Sequence, residues 1–381
     1  MPGVGENNEV DVLVIGGGQA GLALGYYLRR SGLRHVILDA QAEPGGAWLH
    51  TWQPLSLFSP ARWSSLPGWI MPGGVADYPG RDTLLRYMAE YERRYGIPVV
   101  QPVRVEAVRH AGTLADGRAG FVVDSDRGEW RARAVVSATG NWERPYIPHY
   151  PGREIFRGVE THSANYWSPE IYSGKRVLVV GGGNSGAQIY AELSKVADAT
   201  WVTRRPPLFM PDHIDGRYLF DVASRQYLAQ QGEETNKETG AVSLGDIVMV
   251  APVKEARDRG VLHTVRPFSR FTATGVMWGD GREELVDTVI WCTGFRAALD
   301  HLEPLGVVEP DGRVVIEGTR AVKEPMLWLL GYGDWTGYAS ATLVGVGRTA
   351  RETVAQLVDN LHLHQDNMAL QGRMGHVGPA S

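Results

Sequence analysis

Near the start of the chain a short apolar run, Val10-Asp-Val-Leu-Val-Ile15, leads directly into Gly16-Gly-Gly-Gln-Ala-Gly21, and Leu22, Leu24 and Leu28 follow at helical spacing. Such a run reads as a buried strand, and the change of period across the glycines reads as strand, tight turn, helix. Ser31-Gly32 interrupts the helix, and His35-Val-Ile-Leu-Asp39 then forms a second apolar run ending in an acid. Together they close a βαβ unit of about 30 residues. The construction returns later as Arg176-Val-Leu-Val-Val180, the turn Gly181-Gly-Gly-Asn-Ser-Gly186, a helix through Ile189 and Leu193, and Ala199-Thr-Trp-Val-Thr203. A third correspondence sets Val135-Val-Ser-Ala-Thr-Gly140 against Val289-Ile-Trp-Cys-Thr-Gly294, each an apolar strand that ends in a Thr-Gly turn.

The repeat predicts an α/β protein with two Rossmann-like dinucleotide-binding domains. Pro145 to Pro151 and Trp167 to Gly174, rich in Pro, Tyr, Ser and Gly, read as linkers between them. Beyond Gly294, the residues Leu343, Val346, Ala350, Val354, Leu357 and Leu361 follow helical spacing, with the helix expected to start near Ser340 to Thr342. This closing segment is assigned to the first unit, so the second domain is expected as an insertion into the first. Gln365 to Ser381 carries no apolar period and reads as an unstructured tail.

The glycines have separable tasks: the first allows the tight turn off the strand, the second lets backbone N–H groups approach a pyrophosphate, and the third lets helix and strand pack closely. Gly16, Gly18 and Gly21, with Gln19 and Ala20 between them, meet this pattern, as do Gly181, Gly183 and Gly186 with Asn184 and Ser185. Counting the same distance from the first glycine of each turn lands on Asp39 in one module and on Arg204, flanked by Thr203 and Arg205, in the other. An acid there accepts hydrogen bonds from ribose hydroxyls and repels a 2′-phosphate, whereas a guanidinium attracts it. The first site is therefore read as FAD and the second as NADP, against the plainer alternative that the arginines are a solvated surface pair. The FAD-binding domain is expected over 1–168 and 295–381, and the NAD(P)H-binding domain over 169–294. The turns Ala138-Thr139-Gly140 and Cys292-Thr293-Gly294 complete the expected cofactor walls.

Composition narrows the function classes. With 38 Lys and Arg against 43 Asp and Glu, the 381-residue chain carries a formal charge of −5, which argues against a nucleic-acid binder. A single cysteine, Cys292, rules out an internal disulfide, a two-thiol redox centre and a cysteine-based zinc site, and fits a reducing cytoplasm. Met1 to Glu9 has no basic, apolar leader, and no segment approaches the ~18 continuous apolar residues of a membrane span. His362-Leu-His364 lacks carboxylate or thiolate companions, so no metal site is expected. No Gly-x-Ser-x-Gly elbow occurs either. A homodimer is the default expectation for oligomeric state.

Three further stretches carry a resemblance. Phe156-Arg-Gly158, then His162, then Tyr166-Trp167-Ser168 is similar to the F-x-G-x-x-x-H signature of the flavin-dependent monooxygenases with two dinucleotide-binding domains; Tyr166 stands where the Baeyer–Villiger branch places a Trp. Gly45-Gly46-Ala-Trp48 resembles the family's turn beside the flavin, and Gly331-Tyr-Gly-Asp334 its flavin-binding element. From about Val10 to His364 the chain looks most like the short bacterial flavin-containing monooxygenases, some of which accept NADH as well as NADPH.

The resemblance implies hydride transfer from NADPH to FAD, addition of O2 to give a C4a-peroxide, and oxygen donation to a small-molecule substrate: a soft nucleophile such as a thioether or amine, or a ketone. It also implies that Gly46, Trp48 and Asp334 touch the flavin, and that the closing helix points its N-terminus there. Where many members place an Asn beside the flavin, Ala47 to Ser64 contains none; Phe58 and Ser59 occupy that neighbourhood and are the candidate substrate-pocket residues. No catalytic side chain is assigned. Two rivals stand: an NAD(P)H-dependent flavin reductase passing electrons to a partner without oxygen insertion, and a non-enzymatic nucleotide sensor.

Overall fold

The computed structural model describes residues 8–74, 78–115, 117–212, 246–337 and 339–374. The first unit is built on a nine-stranded sheet. In it β1 (Glu9–Ile15) lies parallel between β2 (His35–Leu38) and β6 (Gly128–Ser137). Outward from β2 comes β3 (Val99–Val100), and outward from β6 come β17 (Leu327–Leu329), β16 (Arg320–Ala321) and β15 (Ile316–Glu317). A hairpin of β4 (Val105–His110) and β5 (Phe121–Ser125) continues antiparallel from the first half of β6. Val12, Leu13 and Val14 are fully buried, which is why the β1 run shows no polar alternation: both faces of the sheet are covered.

One face is covered by α1 (Gln19–Leu28), α2 (Arg81–Tyr95) and the closing helix Val346–Met374. In α2 the residues Leu84, Tyr87, Met88 and Tyr91 recur at intervals of three and four and are buried, until Gly96 ends the helix in the left-handed conformation. The opposite face packs Val108, Phe121 and Val123 of the hairpin against Leu299, Leu302 and Val307.

The second unit is a five-stranded, all-parallel sheet in the order β10 (Thr264–Val265), β9 (Asp198–Val202), β8 (Arg176–Val180), β14 (Thr288–Trp291), β7 (Val159–His162). On one side lie α3 (Asn184–Leu193) and the helix Ala251–Asp258. On the other a small antiparallel sheet, β11 (Arg270–Phe271), β12 (Gly275–Met277) and β13 (Glu283–Leu285), brings Phe268, Phe271 and Trp278 onto Trp291.

Leu327 of β17 pairs with Val135 of β6, so the chain returns to the first sheet after completing the second, and the inserted arrangement expected from the repeat is present. Four expectations are corrected. Strand β7 belongs to the second sheet although it precedes residue 169; its Val-Glu-Thr-His sequence is too short and too polar to carry a period. Trp167 to Gly174 consequently connects two strands of the same sheet. The closing helix begins at Val346 rather than at Ser340 to Thr342, because Thr342 folds into a turn, its hydroxyl accepting the Gly345 N–H at 3.1 Å and its carbonyl the Val346 N–H at 3.1 Å. At its other end the helical backbone runs past Gln365 to Met374; residues 375–381 of the expected tail lie outside the described residues.

Candidate functional site

The two glycine turns are near copies in space. A Cβ on Gly16 (φ +107°) would sit 2.5 Å from the Ala138 carbonyl oxygen, and one on Gly181 (φ +143°) would sit 2.1 Å from that of Cys292. A Cβ on Gly21 would stand 1.9 Å from the Gly16 oxygen, and one on Gly186 2.2 Å from the Gly181 oxygen. The first and third glycines are therefore demanded by the protein's own backbone. The middle ones are not: a Cβ on Gly18 meets nothing nearer than Gly46 Cα at 3.8 Å, and one on Gly183 meets nothing within 4 Å. Each middle glycine is also the N-cap of its helix, α1 or α3. Clear space over a helix N-terminus with free N–H groups is what a dinucleotide pyrophosphate fits.

Around the first turn lies a cavity of about 570 Å³ lined by Gly16, Gly18, Gln19, Ala20, Asp39, Gly46, Trp48, Ala138, Thr139 and Gly140, among others. Asp39 is buried, accepting the Gly17 N–H on one carboxylate oxygen and the Gln41 N–H on the other at 2.6 Å. Burial pushes its carboxyl up, against the pull of those N–H groups. Trp48 donates its indole N–H to Gln19 Oε1 at 3.0 Å, and Gln19 Nε2 donates to the Ala341 carbonyl at 2.6 Å, tying the Gly-Gly-x-Trp turn to the segment ahead of the closing helix. Gly46 rests on the glycine turn, where a Cβ would lie 2.6 Å from Gly18 Cα. The cavity wall takes Gly331, while Asp334 is exposed on the turn beyond it.

Sequence reasoning missed a buried polar chain behind this wall. The Tyr332 hydroxyl meets Ser137 Oγ and Thr139 Oγ1, Ser137 meets His301 Nε2 at 3.0 Å, and Thr139 donates to the Ala298 carbonyl at 2.7 Å. Burial holds His301 down at about 4, so it is neutral at physiological pH. The chain fixes the Thr139 turn from below. Its members are far apart in sequence and have no shared motif.

In the second cradle, Arg204 and Arg205 are exposed at the end of β9, next to buried Thr203. The Asn184 side chain is engaged by the protein: Oδ1 accepts the Val248 N–H at 2.9 Å and Nδ2 donates to the Asp246 carbonyl at 3.1 Å. Ser185 follows in the first turn of α3, and Trp201 donates to the Gly181 carbonyl at 2.7 Å. Cys292 lies under Gly181, and burial pushes its thiol up to about 12.

Between the units the chain crosses twice, and the crossings are paired. Tyr146 N–H donates to the Gly294 carbonyl at 2.9 Å and Arg296 N–H to that of Arg144 at 2.8 Å, while Thr293 Oγ1 donates to the Tyr146 carbonyl at 2.5 Å. His162 braces this ribbon, donating from Nε2 to the Gly294 carbonyl at 3.0 Å and accepting the Ala164 N–H on Nδ1 at 3.1 Å. It is a neutral, fully engaged histidine whose pKa burial lowers. Nearby, the Glu192 carboxylate accepts from the Tyr166 hydroxyl at 2.9 Å and from Trp52 Nε1 at 3.2 Å; burial pushes it up to about 7. Phe58 packs against the same cluster, whereas Ser59 is buried against Ser64 at 2.7 Å, and neither lines the cavity.

Comparison with known proteins fits this architecture. A family model described as pyridine nucleotide-disulphide oxidoreductase matches residues 13–321. The solved flavin-containing monooxygenase from Stenotrophomonas maltophilia is 51% identical, superimposes with a TM-score of 0.83, and aligns over 92% of this chain and 99% of its own. An uncharacterized oxidoreductase CzcO of Bacillus velezensis is 30% identical over 91% of this chain and 99% of its own, and the indole-3-pyruvate monooxygenase YUCCA1 of rice (Oryza sativa subsp. japonica) is 27% identical over 89% of each. No described helix is long and apolar enough to cross a membrane. On these matches the chain belongs to the pyridine nucleotide-disulphide oxidoreductase family and stands among its flavin-containing monooxygenases.

Proposed function

We propose that the protein is an NADPH-dependent FAD monooxygenase acting on soft nucleophiles, thioethers or amines, with FAD in the first cradle and NADPH in the second. The observation that carries the assignment is the matched register: two glycine turns with the same backbone contacts, with Asp39 at the far strand end of one and Arg204 at that of the other. The first unit would then comprise 1–168 and 295–381 with β7 given over to the second, and the second would comprise the rest. We place the protein in the cytoplasm, where NADPH is available and a lone thiol stays reduced.

When bound, FAD supplies hydride acceptance and oxygen activation; the chain's own residues hold and orient it. Asp39, whose oxygens each keep a lone pair beyond their backbone bond, would receive the adenosine ribose. The N–H groups at Gly18 to Ala20 would receive the pyrophosphate, and Trp48, fixed through Gln19, would bound the ring end of the cavity. Ala138 to Gly140, braced by Tyr332, would form the opposite wall.

For a thioether the overall reaction is thioether, O2, NADPH and a proton giving sulfoxide, NADP+ and water. The test is stoichiometry with an aryl methyl thioether under 18O2. One NADPH oxidised per labelled sulfoxide, with little hydrogen peroxide released, supports the reading. NADPH oxidation that reduces a quinone or disulfide dye but leaves the thioether untouched would favour the flavin reductase, and a protein that binds nucleotides without oxidising NADPH would be the sensor.

A further inference from the structure

Three neighbouring parallel strands of the second sheet, β8, β9 and β10, release the chain at one common carboxyl edge. That edge is where ligands of open α/β sheets bind. From β8 comes the glycine turn, from β9 come Arg204 and Arg205, and from β10 comes Arg266. Register sets Val265 beside Val202, and Thr203 N–H donates to the Val265 carbonyl at 2.9 Å, so the β9 and β10 exits lie side by side. Arg266 then reaches across, its Nη1 donating to the Arg204 carbonyl at 2.5 Å. Pro267 follows it and restricts Arg266 to extended backbone, which limits how far the side chain can stray.

All three arginines are exposed, and among the described residues none has a carboxylate within ion-pair distance. Arg176 and Arg257 of the same unit, by contrast, are paired with Asp287 and Asp212. An uncompensated basic cluster beside a pyrophosphate cradle suits a dianion. One of the five guanidinium N–H groups of Arg266 is used on Arg204, and the remaining fork is free in the described structure to take phosphate oxygens.

We infer that Arg266 is a third recognition residue for the 2′-phosphate of NADPH, holding the Arg204 backbone with one N–H and the phosphate with others. The inference rests on the reading of the second cradle as the NADPH site. Neither a dipeptide motif nor the count from Gly181 reveals it, because β10 brings Arg266 alongside from more than sixty positions away.

The test is calorimetry on the FAD-loaded protein with 2′,5′-ADP and 5′-AMP, which differ only in the 2′-phosphate, for wild type, Arg266→Gln and Arg266→Lys. Wild type should prefer 2′,5′-ADP. Arg266→Gln should weaken 2′,5′-ADP about 5- to 20-fold while changing 5′-AMP less than about 2-fold, with Arg266→Lys in between. Equal weakening of both analogues would reduce Arg266 to a clamp on the Arg204 loop, and unchanged 2′,5′-ADP binding would remove it from the site; either result overturns the inference. A wild type that binds the two analogues equally would instead bring down the assignment of NADPH to this cradle, and the inference with it.

Discussion

Tyr166 and Glu192 are joined by a 2.9 Å hydrogen bond between the segment leaving β7 and the last turn of α3, and Trp52 of the first unit reaches the same carboxylate. Glu192 is pushed from the ordinary 4.5 to about 7, first by burial. The folded protein therefore holds the proton more tightly than the unfolded chain, and this group's stabilisation, full below about 4.5, is lost as pH rises to about 7. The size is on the order of 3 kcal/mol at most. In Glu192→Gln that part of the slope should vanish, so melting curves taken near pH 5 and near pH 7.5 should show the variant gaining roughly 2 °C or more on wild type at the higher pH. Parallel pH profiles for the two proteins would refute the assignment.

Glycines of the first turn should separate folding from flavin binding. Gly21→Ala drives a methyl into the Gly16 carbonyl and should cost about 3 kcal/mol or more, visible as a lowered melting temperature with or without flavin. At Gly18 a Cβ has room in the protein and the φ of −69° is one any residue adopts, yet the side chain of Gly18→Val fills the space over the α1 N-terminus. It should give folded, colourless protein. Yellow Gly18→Val protein with a full complement of FAD would show that the pyrophosphate lies elsewhere.

Replacing Arg204 and Arg205 together by Gln should raise KM for NADPH by roughly 10-fold or more, the lower end of the range for charge-assisted bonds, because both are solvent-exposed. NADH kinetics should barely change, and kcat should hold, since the phosphate is bound equally in ground and transition states. Equal losses with both cofactors, measured as flavin reduction, would mean that the pair acts on folding.

Cys292, with its thiol pushed up to about 12, should be almost wholly protonated at pH 8. Iodoacetamide at that pH should leave it unlabelled in native protein and label it in guanidinium, as counted by mass spectrometry. Rapid native labelling would show an open path to the Gly181 turn.

What the sequence disclosed was local or repeated. Gly21 answers to the Gly16 carbonyl within its own turn, and Asp39 and Arg204 stand in a register that one module teaches about the other. Glu192, His301 and Arg266 escaped because each owes its role to a partner brought in by topology: Trp52, Ser137 and Arg204. The closing helix is legible at its apolar positions but not at its start, where Thr342 organises a turn that periodicity does not register. Proximity in sequence to the Gly-Gly-x-Trp turn points to Ser59, whose hydroxyl is used on Ser64.

The return of Leu327 to pair with Val135 also sets an order of events during synthesis. Until the ribosome has passed that leucine, β6 has an unpaired edge over Val135 to Ser137, and the whole second unit is made in the interval. At about 5–20 residues per second the delay is on the order of ten seconds or longer. The inserted unit, whose strands all lie between its two crossings, can close as soon as Trp291 emerges. The nascent chain thus passes through a stage with one finished module and one open-edged sheet, and that exposed edge is where a chaperone would have its purchase.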